Sequence, residues 1–184
     1  GLLGVPMERI RVVTSDTGLV ERGSGTSGSR SLQLGGSAVR GACLVLIEQA
    51  KKEAARRLEA GGDDIVQLPD GRFGVQGVPA TALSWVELAS EATLLAEHDF
   101  EQDDQTFPFG CHVAVVEVDV ETGAARLVRH VAVDDCGTVL NQNLVDGQIH
   151  GGVAQGVAQA LYEEFVYDLE GNPLTTSLTD YAIP

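Results

Sequence analysis

The chain has 184 residues, 43% hydrophobic and 21% charged, which is enough for one domain or two small ones with a real core. Its 12 basic residues against 27 acidic ones leave a net charge of −15, a balance that repels nucleic acid and anionic membrane surfaces. No apolar run approaches the ~18 residues of a membrane span, and the apolar share is too high for a disordered chain.

The chain opens Gly1-Leu2-Leu3-Gly4, with no initiator methionine and no signal-type apolar region, and it closes on Asp180-Tyr181-Ala182-Ile183-Pro184. Both ends are expected to be internal to something longer. Arg9–Ser15 alternates, with Ile10, Val12 and Thr14 on one side, and reads as a strand. Residues 16–31 are rich in Gly, Ser and Thr and read as a loop. A long helix follows over 35–58, with Ala38, Ala42, Val45 or Leu46, and Gln49 at helical spacing. Lys51, Lys52, Arg56 and Arg57 complement its C-terminal dipole, and Gly61-Gly62 ends it.

Asp64–Leu68 and Arg72–Val75 flank Pro69-Asp70-Gly71, which predicts a hairpin. Ser84-Trp85-Val86-Glu87 is a capping box opening a short helix to about Ser90. Ten of the twelve basic residues lie within 1–72, and Glu91–Asp104 carries six carboxylates without a Lys or Arg. That stretch is expected to be a solvated loop or a face covered by a partner. Cys111–Val120 and Ala125–Asp134 are two strands joined by Glu121-Thr122-Gly123. Asn141 or Asn143 can cap a helix over about 144–162, and a last hairpin turns at Asp168–Gly171. The fold class is α+β, with mixed, mostly antiparallel strands, a long helix in the N-terminal half and a Gly-rich helix near the C-terminus. Sub-units 1–90 and 91–184 are a natural division.

Cys43, Cys111 and Cys136 are an odd set at wide spacing, which is no disulfide framework and suits a reducing compartment such as the cytoplasm. Cys111, His112, Cys136 and His150 fit no zinc spacing.

Two segments carry chemistry. Gly23-Ser24-Gly25-Thr26-Ser27-Gly28-Ser29-Arg30-Ser31 leads into a helix, where glycines turn N–H groups toward an anion and the helix dipole adds positive potential. Its hydroxyls and the Arg30 guanidinium suit phosphate oxygens. The glycines match GxGxxG, but no strand runs directly into them. They also match the glycines of GxxxxGK[ST], but Ser29 stands where that motif needs lysine. A plain surface loop is the other reading. On the late helix, Gln148, Gln155 and Gln159 fall within about 40° of one another. His150 lies on the opposite, apolar side with Val153, Val157 and Leu161, and is expected to be a satisfied core histidine. Gly147, Gly151, Gly152 and Gly156 each cost ~1 kcal/mol in a helix, so close packing or a close ligand is expected there.

These segments resemble the molybdopterin-binding large subunit of the xanthine dehydrogenase, aldehyde oxidase and carbon monoxide dehydrogenase family. The resemblance rests on Ser15-Asp16-Thr17, Gly25–Ser31, Val133-Asp134-Asp135-Cys136-Gly137 through Asn141, Gly147–Gly156 followed by Ala160–Glu164, and Asp180–Pro184. It implies a molybdenum hydroxylase oxidoreductase, acting on an aldehyde, an N-heterocycle, a similar small substrate or CO. In that family a glutamate serves as base at the molybdenum centre, and electrons leave through iron–sulfur clusters to FAD.

Carried over, the resemblance makes Thr26, Gly28, Ser29, Arg30 and Ser31 contacts of the pterin cofactor and its phosphates, and Gln148 an amide contact. The cofactor is molybdopterin with molybdenum, the cytosine dinucleotide form included. Gln142 departs from the family's Asn-Pro after the Cys-Gly strand end. The family's base glutamate and the loops facing the metal match no part of these residues. The resemblance therefore implies a cofactor-holding part with no catalytic or metal-ligating residue of its own, inactive alone. Its partners are the remainder of the large subunit and the FAD and iron–sulfur subunits, and an oligomer is expected. A non-catalytic scaffold retaining the fold, or a nucleotide-binding domain built on Gly23–Gly28, are the competing readings.

Overall fold

The computed structural model describes residues 1–20, 23 and 25–183. They form two compact units, Gly1–Asp104 and Gln105–Pro184. The architecture is α+β, with antiparallel strands throughout.

In the first unit, a 3₁₀ turn at Met7–Arg9 precedes Ile10–Thr14, which begins extended at Ile10 but is exposed and unpaired among the described residues. The expected strand is therefore not a strand: alternation favours extended backbone, but a strand also needs a neighbour to complete its hydrogen bonds. The long helix starts earlier than expected, as a π-helical turn over Leu32–Gly36 that continues into α1 (Ser37–Leu58). It ends on Glu59 in the left-handed region, φ 50°, rather than at Gly61-Gly62, which instead lead into a 3₁₀ turn at Gly62–Asp64.

Hairpin strands β1 (Ile65–Gln67) and β2 (Phe73–Val75) pair antiparallel around Pro69-Asp70-Gly71. Leu83 adds a reciprocal pair of 2.8 Å backbone bonds to Phe73. Ser84 caps α2 (Trp85–Glu91) with a complete capping box: Ser84 Oγ accepts from Glu87 N at 3.3 Å and Glu87 Oε2 accepts from Ser84 N at 2.7 Å. Those donors hold the Glu87 carboxyl below its usual range, the Ser84 backbone N–H first among them.

The core gathers Ile47, Ala50 and Ala54 of α1, Ile65, Phe73 and Leu88. The spacing of three and four puts the α1 members on one helix face. Trp85 stands edge-on to Phe73, with ring centres 4.8 Å apart, and donates Nε1–H to Leu3 O at 2.8 Å. Gly4 and Gly71 meet backbone to backbone: a Cβ on Gly71 would lie 2.8 Å from Gly4 O.

The second unit holds β3 (Phe109–Val118) and β4 (Ala125–Asp135), an antiparallel ribbon with a bulge between Val115 and Val116. Asp119 Oδ1 closes its turn by accepting from the backbone N–H groups of Glu121 and Thr122. Val113, Val115, Val116, Val118, Val128, Val131 and Val133 remain exposed, so neither face of the ribbon is a core within this unit. Asn141 caps α3 (Gln142–Leu161) through Leu144 N. Burial on α3 centres on Ala158, flanked by half-buried Val153 and Val157, whereas His150 is exposed. The expected core histidine is thus on the apolar side but toward the helix start, beyond the covered part. The final turn at Asp168–Gly171 is joined by a single bridge, Tyr167 to Pro173. No helix among the described residues is long and apolar enough to cross a membrane.

Candidate functional site

The Gly25–Ser31 loop belongs to the first unit and is exposed throughout. Ser24 lies outside the described residues. Gly25 and Gly28 take left-handed backbone, φ +67° and +61°, and a Cβ on either would meet nothing within 4 Å. Ser29 takes the same region at φ 55°. That conformation costs a non-glycine residue about 1 kcal/mol, a strain found at ligand-holding turns. Gly28, Ser29 and Arg30 make the final turn, and Ser31 opens the helical run. The side chain of Ser31 makes no cap hydrogen bond, and Leu34 N bonds to Arg30 O at 3.0 Å. The run thus opens on a π-helical turn of the kind that recurs at functional sites. Thr26, Gly28, Ser29, Arg30 and Ser31 are thus gathered on one short, open turn at a helix N-terminus.

Gln148 belongs to the second unit, on the exposed side of α3 with Gln155 and Gln159. Gly147, Gly151, Gly152 and Gly156 lie around it, and a Cβ on any of them would meet nothing within 4 Å. Among the described residues of this unit, close packing, one expected reason for these glycines, is therefore not seen. They leave the amide row on a bare strip of helix that a flat ligand or another backbone can approach closely.

Two arrangements escaped the sequence reading. On one face of the ribbon, His112 Nε2 lies 3.0 Å from Asp134 Oδ1, and His130 Nε2 lies 3.3 Å from His112 Nδ1. A side chain on Gly110 would run into the Asp134 carboxylate. The hairpin register sets His112 opposite Ala132 and His130 opposite Ala114, so the signal lay in counting the pairs outward from the turn. Second, Tyr181 donates to Glu163 Oε2 at 2.7 Å, which pushes the phenol above its ordinary value and ties the chain's last motif to the end of α3. Asp135 Oδ1 accepts from Gly137 N at 2.8 Å, closing the Asp-Cys-Gly turn, where Gly137 has φ +79°. Among the described residues no group of three or more His, Cys, Asp or Glu side chains could hold a metal ion.

Comparison with known proteins matches residues 2–184 to the molybdopterin cofactor-binding domain family. The carbon monoxide dehydrogenase large chain of Hydrogenophaga pseudoflava is 36% identical over 99% of this chain and 24% of its own length. The 6-hydroxypseudooxynicotine dehydrogenase complex subunit gamma of Paenarthrobacter nicotinovorans is 36% identical with the same coverage. The crystal structure of a Cu,Mo-CO dehydrogenase in its carbon monoxide reduced state superposes with TM-score 0.81 at 33% identity, over 100% of this chain and 24% of that one. Quinoline 2-oxidoreductase from Pseudomonas putida 86 gives TM-score 0.72 at 38% identity, over 87% of this chain and 22% of that one. The chain thus spans about a quarter of the length of these relatives. Matched along nearly its whole length in sequence and fold, it belongs to the molybdopterin cofactor-binding domain family of the molybdenum-dependent oxidoreductases related to xanthine dehydrogenase and carbon monoxide dehydrogenase.

Proposed function

We propose that residues 1–184 are a cofactor-holding part of a molybdenum hydroxylase large subunit. The Gly25–Ser31 loop takes the phosphates of the pterin cofactor, and Gln148 meets its heteroaromatic edge. The observation that carries the reading is the loop's backbone: three left-handed residues with open space beside both glycines, turning straight into a helix start without a side-chain cap. A phosphate is the group this arrangement suits, because outward N–H groups and the helix dipole stabilise negative charge. The hydroxyls of Thr26, Ser29 and Ser31 donate to phosphate oxygens, and Arg30 adds a charge-assisted bond. The cytosine dinucleotide form carries more than one phosphate, which fits the number of donors. Gln148 offers both a donor and an acceptor to the pterin rim, and the bare glycines beside it let the ring system come close.

The bound group supplies the redox centre at which a substrate carbon is oxidised. The residues described here bind and orient it, and supply no base. The chain alone therefore turns over no substrate. The exposed valines of the ribbon are covered by the remainder of the large subunit. Iron–sulfur and FAD subunits take the electrons, and the assembly is an oligomer in the cytoplasm that acts on a small molecule.

The test is Arg30→Ala and Gln148→Ala in the full-length enzyme, with molybdenum and pterin content measured beside activity. Both variants are expected to lose bound cofactor rather than only turnover. Full cofactor content with normal activity in both would refute the assignment. A wild-type protein that takes up no pterin would instead leave the non-catalytic scaffold.

A further inference from the structure

Beyond α2 the acidic stretch is not a wandering loop. It runs back along α1, antiparallel to it, and three contacts set its course. Gln49 Nε2 donates to Leu95 O at 2.8 Å. The imidazole of His98 occupies the space that a Cβ on Gly41 would need. Gln33 Nε2 donates to Gln102 Oε1 at 3.0 Å. The spacings agree: from Gln33 to Gln49 a helix rises about 24 Å, and extended chain from Leu95 to Gln102 spans about 23 Å.

Ala92, Leu94 and Ala96 are half-buried while Thr93, Leu95 and Glu97 are exposed, the period of two of extended backbone. The half-buried α1 residues Ala38, Ala42, Leu46 and Gln49, which recur at helical spacing in the sequence, lie along this course rather than in the main core. A helix has no free backbone groups along its side, so side chains must hold the segment in place. At its far end Gln102 Nε2 also donates to Asp104 O, a local bond that orients the Gln102 amide. Gln33 lies in the π-helical turn, three residues past Arg30. A π-helical turn is seldom stable on its own, and this one carries the strained Ser29-Arg30 turn at its start.

We infer that residues 92–102 form a strap that positions the anion loop, and that Gln102 is a positioning residue acting on Ser29–Ser31 through Gln33. The strap fixes the pitch of the first helical turn and so the direction of its N–H groups. This role rests on the phosphate reading of the loop given above. The chemistry the tie requires is one acceptor oxygen at position 102, which separates it from mere bulk.

The experiment uses the full chain with Gln102→Ala, Gln102→Glu and Arg30→Ala, and inorganic pyrophosphate as the probe. Amide hydrogen exchange is followed at residues 30–36 and 47–54, and the pyrophosphate Kd by calorimetry. Losing one hydrogen bond predicts exchange about fivefold faster at 30–36 in Gln102→Ala, with 47–54 unchanged and Kd raised by a similar factor. Gln102→Glu keeps the accepting oxygen and restores both. Gly41→Ala, which expels His98 from its seat, moves both readouts in the same direction as Gln102→Ala. Unchanged exchange at 30–36 in Gln102→Ala overturns the strap whatever the binding. Faster exchange with an unchanged Kd, while Arg30→Ala raises Kd, overturns the positioning role but not the phosphate loop. Pyrophosphate that binds wild type and Arg30→Ala alike, or does not bind wild type, overturns the phosphate loop and the strap's role with it.

Discussion

Leu88→Ala tests the core of the first unit at its least replaceable point. Leu88 and Phe73 are the two large side chains fully removed from solvent there. Leu88 shares its core cluster with Ala50 and Ala54, held on a helix and already too short to fill a gap. Such a site collapses poorly, so the cost belongs in the upper part of the Leu→Ala range, about 3–4 kcal/mol. A domain of this size has roughly 5–15 kcal/mol in all, so a large share of its stability is lost. The assay is built into the chain: Trp85 is the only tryptophan, in contact with Phe73 and bonded to Leu3. Urea unfolding followed by its fluorescence should show the midpoint falling by about 2 M, taking a slope of about 1.5–2 kcal/mol per molar for about 100 residues. Val86→Ala, on the same helix but 62% exposed, should stay within about 0.5 kcal/mol of wild type. A loss under about 1 kcal/mol for Leu88→Ala would show that the alanine neighbours do close the gap, and the cavity argument would fail.

Gly71→Ala puts a Cβ 2.8 Å from Gly4 O at φ +85°, so both clash and strain act; a loss of about 2 kcal/mol or more in the same fluorescence assay is expected, and wild-type stability would refute the close contact. Asp119→Asn tests the ribbon turn, where the Thr122 and Glu121 backbone N–H groups hold the Asp119 carboxyl below its ordinary value. Because the folded pKa is depressed, this stabilisation is complete above the ordinary Asp value and is lost as pH falls through the folded one. Wild type should therefore lose thermal stability of the ribbon, read by circular dichroism, as pH falls below the ordinary Asp value, and Asp119→Asn should show a shallower acid limb; equal slopes would refute the linkage.

The sequence alone determined what nearest neighbours decide. The Pro69-Asp70-Gly71 and Glu121-Thr122-Gly123 turns, the Ser84 box and the Asn141 cap are set by a few residues bonding to their own backbone, and all four stand where the residues put them. The composition of Gly25–Ser31 was equally legible, because glycines and hydroxyls before a helix carry their meaning locally. Ile10–Thr14 shows where such rules stop: its alternation encodes extended backbone, and only a neighbour makes that a strand.

Helix ends and burial were also beyond local reading. The left-handed Glu59, not the nearby glycine pair, ends α1, and the covered part of α3 leaves out His150. The π-helical start, the strain at Ser29 and the 92–102 strap rest on contacts such as Gln33–Gln102, separated by 69 residues, and Gln49–Leu95, separated by 46. The Asp134–His112–His130 row likewise depends on the register of a whole hairpin. Such contacts exist only after the chain has folded back on itself, because they are chosen by packing among many distant partners rather than by the torsions of a few adjacent residues.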